Sequence, residues 1–418
     1  MRGSGDRENP AMCVEAGAKF AGLPLPGPQL ACETPGPEDQ RGRGLCVWHE
    51  GADATSQGVN GVNATIWLLA RHQARLGNDV TLLLRTVPSA AALASAKAVG
   101  IRLVHLGGGQ WHVNSRLLTA AIAASRPDVV HMHSVFVPRQ ASLARQLLRQ
   151  GIPYIMTPHG GLAPEVLRQD PIKKSLYAKF FERPRCRAAA MLTASEGEAD
   201  DVRAFVGDDD VPIRNMPIGV DTETLGTATW RGNFSARRLV FLGRFDVHVK
   251  GIDVLLAVAG LMRDHEFHLY GIQDRATREQ LRQIRCGCGP NVFFHPPVYG
   301  AEKVQVLCDA TLYIQLSRSE SFGISIAEAM HLGVPCAISE EINIASAFRE
   351  HDLGLLLPID SAASSMALTW ALQTPEKLRR WSARAREYAR THFDARGAAQ
   401  RHLELYREVI SSDLDTSP

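Results

Sequence analysis

From Leu45 onward the chain alternates short, nearly continuous apolar runs with longer stretches of helical period. The runs LCVWH (45–49), VTLLLR (80–85), IRLVHL (101–106), VVHMH (129–133), YIMT (154–157) and AMLTAS (190–195) form a first series, with a helix expected near Val62 to Leu76. Strands that are apolar on both faces and separated by helices build a parallel sheet covered on both sides. The rhythm pauses in VPIRNMPIGVDTET, where two prolines and Gly219 fit an interdomain connection. It resumes in RLVFLG (238–243), FHLYG (267–271), VFF (292–294), TLYIQLS (311–317) and PCAIS (335–339). The stretch from Pro375 to Val409 is helical, with Leu378, Trp381, Ala385 and Tyr388 at spacings of three and four. The expected fold is α/β, two Rossmann-like doubly wound parallel-sheet domains facing a cleft, with ligands beyond the carboxyl ends of the strands. The expected domains are 44–218 and 219–395, followed by a helix and tail over 396–418 that return toward the first domain.

Residues 1–43 carry frequent Pro and Gly with neither period and read as a disordered extension. Early charges (Arg2, Asp6, Arg7, Glu8) interrupt any signal-peptide core, and no run of about 18 uncharged apolar residues follows, so a cytoplasmic protein without a spanning segment is expected. Its 418 residues hold 46 Lys and Arg against 44 Asp and Glu, a balance of +2 that creates no general field for nucleic acid. Eight scattered cysteines fit reduced thiols in a chain of this size.

Two stretches concentrate candidate chemistry. SRSESFGISIAEAMHLGVPCAIS (317–339) brackets a helix start expected near Phe322 with Glu320 before it and Glu328 within it. Ser319 or Glu320 can cap that helix, Gly323 allows close backbone approach, and the free N–H groups of its first turn favour a phosphate. Glu320 beside a bound diphosphate would accept from sugar hydroxyls, and Glu328 from a ribose diol. FLGRFDVHVKGIDVLL (241–256) sets Arg244 after a strand and Lys250 before a helix, two cations for the same diphosphate. His159 lies in an irregular turn at a strand end, where function often sits.

Weaker patterns read as ordinary structure. His131 and His133 point one way from a strand with no third ligand at suitable spacing, so packing is expected there. CGC (286–288) has no CxxC partner, DDD (208–210) has no strand before it, GISIA (323–327) misses the GxSxG pattern, and no P-loop appears. VLRQDPIKKSLYAKFFERPRCR (166–187) holds seven Lys or Arg against two acids, interleaved with Leu176, Tyr177, Phe180 and Phe181. Such a segment fits an anionic lipid surface.

Taken together and in this order, TPHGGL (157–162), GRF…KG (243–251), ESFGISIAE (320–328) and AMHLGVP (329–335) resemble the retaining, glycogen-synthase-like glycosyltransferases of GT-B fold, called group one or family four, over residues 45–410. The resemblance implies that Arg244 and Lys250 bind the donor diphosphate, Glu328 the ribose, and that Glu320 faces the transferred sugar. It also implies that His159 sits near that sugar, that a turn from Gly58 to Gly61 approaches the reacting phosphate and acceptor, and that Phe322, Gly323 and Ile324 belong to the donor site. His159, Arg244, Lys250 and Glu320 are the expected catalytic groups, with no metal and no cofactor. The chain departs from the family at SEEINIAS (339–346), where many members carry paired glycines. The expected activity is transfer of a sugar from a nucleoside diphosphate sugar to a hydroxyl acceptor, a glycan or lipid-linked sugar, by an enzyme that is peripheral on the inner face of a membrane. The alternatives are a nucleotide-sugar epimerase of the same fold and a catalytically silent sugar-binding protein.

Overall fold

A computed structural model describes residues 44–54, 61–168, 171–187, 190–207, 211–272, 275–285 and 289–415. The extension 1–43, Gly58, and the DDD and CGC patterns lie outside the described residues. The first sheet contains β1 (Cys46–Glu50), β2 (Asp79–Leu84), β3 (Ile101–His105), β4 (Val129–His133), β5 (Tyr154–Thr157), β6 (Ala190–Thr193) and β7 (Ile213–Asn215). Their order is β3-β2-β1-β4-β5-β6-β7, every pair parallel. The second sheet contains β8 (Arg238–Leu242), β9 (Glu266–Tyr270), β10 (Val292–His295), β11 (Leu312–Gln315), β12 (Cys336–Ser339) and β13 (Leu355–Leu357), in the order β10-β9-β8-β11-β12-β13. Both are doubly wound. The chain reverses its direction of winding between β1 and β4 and between β8 and β11, the two points at which such sheets open a crevice for ligand.

Two short strands were not legible in the pattern. β7 lies inside the passage expected to be a connection, and its Ile213, Arg214 and Asn215 pair with Met191, Leu192 and Thr193 of β6. As an edge strand of three residues between two prolines, it lacks the apolar run that marks a central strand. β13 is different: its three leucines, between Gly354 and Pro358 at the opposite edge, are apolar but too few to show a period.

The helix Ala395–Asp415 follows the second sheet in sequence but packs on the first. Its Leu403, Leu405 and Tyr406 cover one face of that sheet, formed by Val47, Val129, Ile155 and Leu192. A buried side chain of this size contributes about 1.5–3 kcal/mol, so this helix is part of the core of the first half. Because strand side chains alternate, the stripe continues two residues on from Val47 to His49, from Val129 to His131 and His133, and from Ile155 to Thr157. The covered face is therefore apolar at its amino end and polar at its carboxyl end. The two chain crossings between the halves run side by side: Val220 bridges Asp394 in parallel, and a Cβ on Gly219 would fall 2.3 Å from the Cα of Ala395.

Candidate active site

The second half builds one wall from loops at its switch point. After β8, Gly243 donates its N–H to Tyr270 O (3.0 Å), and the exposed Arg244 follows. The turn closes as Asp246 Oδ1 accepts from Val249 N (2.9 Å) and ends at Gly251, whose φ is +61°. A Cβ there would lie 1.8 Å from Leu316 O, so only glycine lets this turn rest against the end of β11. Arg318 then ties the two loops together with both guanidinium nitrogens on Asp253, at 2.8 and 2.7 Å. In consequence Lys250 reaches Glu320: its Nζ donates to Glu320 Oε2, which also accepts from Gln315 Nε2 at 2.8 Å. The Gln315 amide is oriented by Tyr313, whose hydroxyl donates to Gln315 Oε1 at 2.6 Å. Gln315 gave no signal in sequence, because it reads there as one polar residue inside an apolar strand.

The helix expected near Phe322 runs over Ile324–Leu332, and neither Ser319 nor Glu320 caps it. Glu320 is held by Lys250 and Gln315, while Gly323 takes the cap position at φ +77° without any side-chain bond. The first N–H groups of the helix are thereby left for another acceptor. Phe322 is buried and meets Phe393 edge-on at 5.0 Å, so its ring packs in the core. Glu328 is also buried and ion-paired with Lys303, a second partner that local spacing could not show.

The first half supplies the facing wall. A Cβ on Gly61, the first residue of the helix Gly61–Arg75, would lie 3.2 Å from Ile324 Cδ1, so two helix starts meet there. Gly160 approaches Ser321 as closely, 3.1 Å from its prospective Cβ to the serine Cβ. Its N–H donates to the buried Glu198 Oε1 at 2.6 Å, whose other oxygen accepts from Ala194 N at 2.7 Å. This anchors the turn carrying His159, itself at φ +54°, a conformation that costs a residue with a side chain about 1–2 kcal/mol. The structure thus brings the His159 turn, Gly61, Gly323, Ile324, Glu320 and Lys250 around one crevice.

Behind His159 lies a cluster that sequence spacing did not reveal. In the parallel register His49 of β1 stands beside His131 of β4, so a third ring does join the pair on β4, from a strand 82 residues away. The ligand nitrogens of His49, His131 and His133 all lie within 4.8 Å of one another, a grouping that could hold a metal ion. The nitrogens are already engaged, however. His49 contacts Gln73 Oε1 (2.7 Å) and His133 Nε2 (3.1 Å), and His133 Nδ1 contacts His159 Nε2 (3.0 Å). His131 contacts Tyr406 OH and Thr157 Oγ1, both at 2.7 Å. Burial lowers the pKa of His49, His159 and His402 to about 4 and holds those of His131 and His133 well below the ordinary 6.5, which keeps the cluster neutral. His131, His133, His159 and His402, with the crossing at Gly219, border a cavity of about 30 Å³, room for a water molecule or two.

The segment 166–187 divides in two. Arg185 is buried on Glu182 and Gln140, and Lys174 donates to Val166 O, so neither is a free surface cation. Exposed side chains remain at Ile172 (83%), Leu176 (63%) and Phe180 (59%), four residues apart on one face, with Lys173 and Lys179 beside them. Among the described residues no helix is long and apolar enough to cross a membrane.

Comparison with known proteins follows this division of the chain. Residues 59–224 match the family described as Glycosyltransferase Family 4, and residues 233–388 match Glycosyl transferases group 1. The phosphatidyl-myo-inositol mannosyltransferase of Mycobacterium leprae is 28% identical over 68% of this chain and 74% of its own. The GDP-mannose:cellobiosyl-diphosphopolyprenol alpha-mannosyltransferase of Xanthomonas campestris is 23% identical over 85% and 94%. Among solved structures, sucrose-phosphate synthase from Thermosynechococcus elongatus superposes with a TM-score of 0.72 at 18% identity, covering 88% of this chain and 99% of that one, which gives the GT-B fold. With both matches in chain order, one on each sheet, the chain belongs to the group 1, family 4 glycosyltransferases and is a glycosyltransferase.

Proposed function

We propose that the crevice transfers a sugar, with retention of its anomeric configuration, from a nucleoside diphosphate sugar to a hydroxyl of a lipid-borne acceptor. The observation that carries this reading is the meeting of Lys250, Glu320 and the uncapped start of the helix Ile324–Leu332 with the His159 turn opposite. The diphosphate lies on Lys250, Arg244 and the helix start, the ribose on Glu328, and the sugar between Glu320 and His159. Among the described residues, Glu320 is engaged by Lys250 and Gln315, and Glu198 by the N–H groups of Gly160 and Ala194, which supports front-face attack over a carboxylate nucleophile. The bond from anomeric carbon to phosphate oxygen breaks, the acceptor oxygen bonds on the same face, and its proton passes to the departing phosphate. Lys250 and Arg244 stabilise the charge that develops there, with no metal ion required for that step.

Two relatives are named for acceptors on lipid, phosphatidyl-myo-inositol and a diphosphopolyprenol, and the exposed row Ile172, Leu176 and Phe180 flanked by lysines supports the same class here. An apolar row edged by cations settles into an anionic headgroup layer. This reading has the enzyme working on the inner face of a membrane. Screening nucleotide sugars for binding, and then for release of nucleoside diphosphate on addition of lipid-linked glycans, tests it, with the product's anomeric configuration read by NMR. Conversion of a nucleotide sugar to its epimer without acceptor, or an inverted product, would overturn it.

A further inference from the structure

The histidine cluster has a direction, and its hydrogen-bond lengths give it. Tyr406 OH makes a short contact of 2.7 Å to His131 Nδ1 and a long one of 3.3 Å to Gln73 Nε2. A hydroxyl donor closes to about 2.5–3.0 Å, so the tyrosine proton points at His131 and the Gln73 amide nitrogen donates to the tyrosine oxygen. The Gln73 carbonyl oxygen then faces His49, and each later proton is fixed in turn. His49 Nε2–H donates to Gln73 Oε1, His133 Nε2–H donates to His49 Nδ1, and His159 Nε2–H donates to His133 Nδ1. On the other branch His131 Nε2–H donates to Thr157 Oγ1. Both branches start at one buried amide on the helix Gly61–Arg75 and end on the single turn Thr157 to His159.

We propose that Gln73, His49 and His133 are positioning residues that hold His159 as its Nε2–H tautomer, leaving Nδ1 as a hydrogen-bond acceptor for a hydroxyl of the transferred sugar. His159 Nδ1 makes no hydrogen bond among the described residues. An accepting nitrogen pairs with a sugar hydroxyl and is unfavourable against a phosphate oxygen, so the tautomer sorts the two ends of the donor. A neutral chain is required for this order, and burial supplies it by disfavouring every charged ring. A metal at the three-histidine grouping is incompatible with it, since the ion would take nitrogens that the chain uses. The inference rests on the donor-sugar reading above.

The test is long-range ¹⁵N–¹H NMR of histidine-labelled protein, with His159 assigned through His159→Asn. The wild type should show His159 protonated at Nε2. Gln73→Met, which keeps the volume and removes both polar ends, should give mixed tautomers and lower kcat/KM for the nucleotide sugar about tenfold, the worth of one neutral hydrogen bond. Inhibition by free nucleoside diphosphate should not change. A wild-type His159 protonated at Nδ1, or one indifferent to Gln73→Met, would overturn the proposal, and so would stoichiometric zinc that shifts the His49, His131 and His133 resonances. The wild-type spectrum decides the point even if the variants fail to fold. Absence of any nucleotide-sugar turnover with the tautomer intact would instead count against the donor reading.

Discussion

Lys250 Nζ is ion-paired with Glu320 Oε2 across 70 residues of sequence, joining the loop after β8 to the loop after β11. The cation assigned to the diphosphate and the carboxylate assigned to the sugar therefore neutralise one another in the structure. On the proposed reading a diphosphate arriving at Lys250 would compete with that carboxylate, and Gln315 would remain to hold Glu320. Lys250→Ala should lower kcat by about 10²–10³, the usual loss for one charge-stabilising donor. Arg244→Ala should act in the same direction. Thermal unfolding should stay near wild type in both, because Arg244 is exposed and Glu320 keeps its bond from Gln315 when Lys250 is lost. Near-normal turnover in both variants would remove these residues from the site.

Glu328 is buried on Lys303 in the middle of the helix Ile324–Leu332. A group that binds ribose alike in ground and transition states changes KM and leaves kcat. Glu328→Gln should raise the donor KM with little change in kcat, and Lys303→Met should do the same by releasing the carboxylate. A fall in kcat at constant KM would place Glu328 in the chemistry instead.

Acid should unfold the protein from its first half. The rings of His49, His159 and His402 are held neutral, with pKa about 4 against an ordinary 6.5, and they face one another, His131, His133, Gln73, Thr157 and Tyr406. The unfolded chain takes up these protons first, so the stability is fully present above pH 6.5 and is lost as the pH falls toward 4. Each histidine contributes a slope of about 1.4 kcal/mol per pH unit within that window. Urea unfolding at pH 7, 6 and 5 should show a fall steeper than one histidine can cause. A flat profile would mean that the rings are charged in the fold.

Vesicles test the exposed row. The protein should sediment with anionic vesicles at low salt, less at high salt, and poorly with neutral ones. Lys173→Gln with Lys179→Gln should cost about 1 kcal/mol of binding each, and Ile172→Ser with Phe180→Ser should lose more, while donor affinity holds. Lys174 is left out because it is tied to Val166. Undiminished binding in both double variants would make the patch an ordinary solvated face and favour a soluble acceptor.

Central strands and the loops beyond β8 and β11 could be read from sequence because each is a local signal: an apolar run, then a glycine, then a charge. The glutamates and the two cations were visible for that reason. Their partners were not. Gln315 and Lys303 act across strands or helices, and His49 meets His131 only through the register of two strands that the chain visits 82 residues apart. The cap of the helix Ile324–Leu332 went to Gly323 because Glu320 had a stronger bond elsewhere, a competition that local propensity cannot decide. β7 escaped because an edge strand needs no apolar run, and β13 because three leucines are too few to show a period.

The helix Ala395–Asp415 also sets a timetable for folding. Val47, Val129, Ile155 and Leu192 share the face that Leu403, Leu405 and Tyr406 cover, yet about 210 residues separate Leu192 from Leu403, which at 5–20 residues per second is roughly ten to forty seconds of synthesis. Throughout that interval the nascent first half presents an uncovered apolar stripe to its surroundings. Only when the last helix emerges does Tyr406 dock, and with it the tautomer chain behind His159 is completed. The half that is made first is thus finished last.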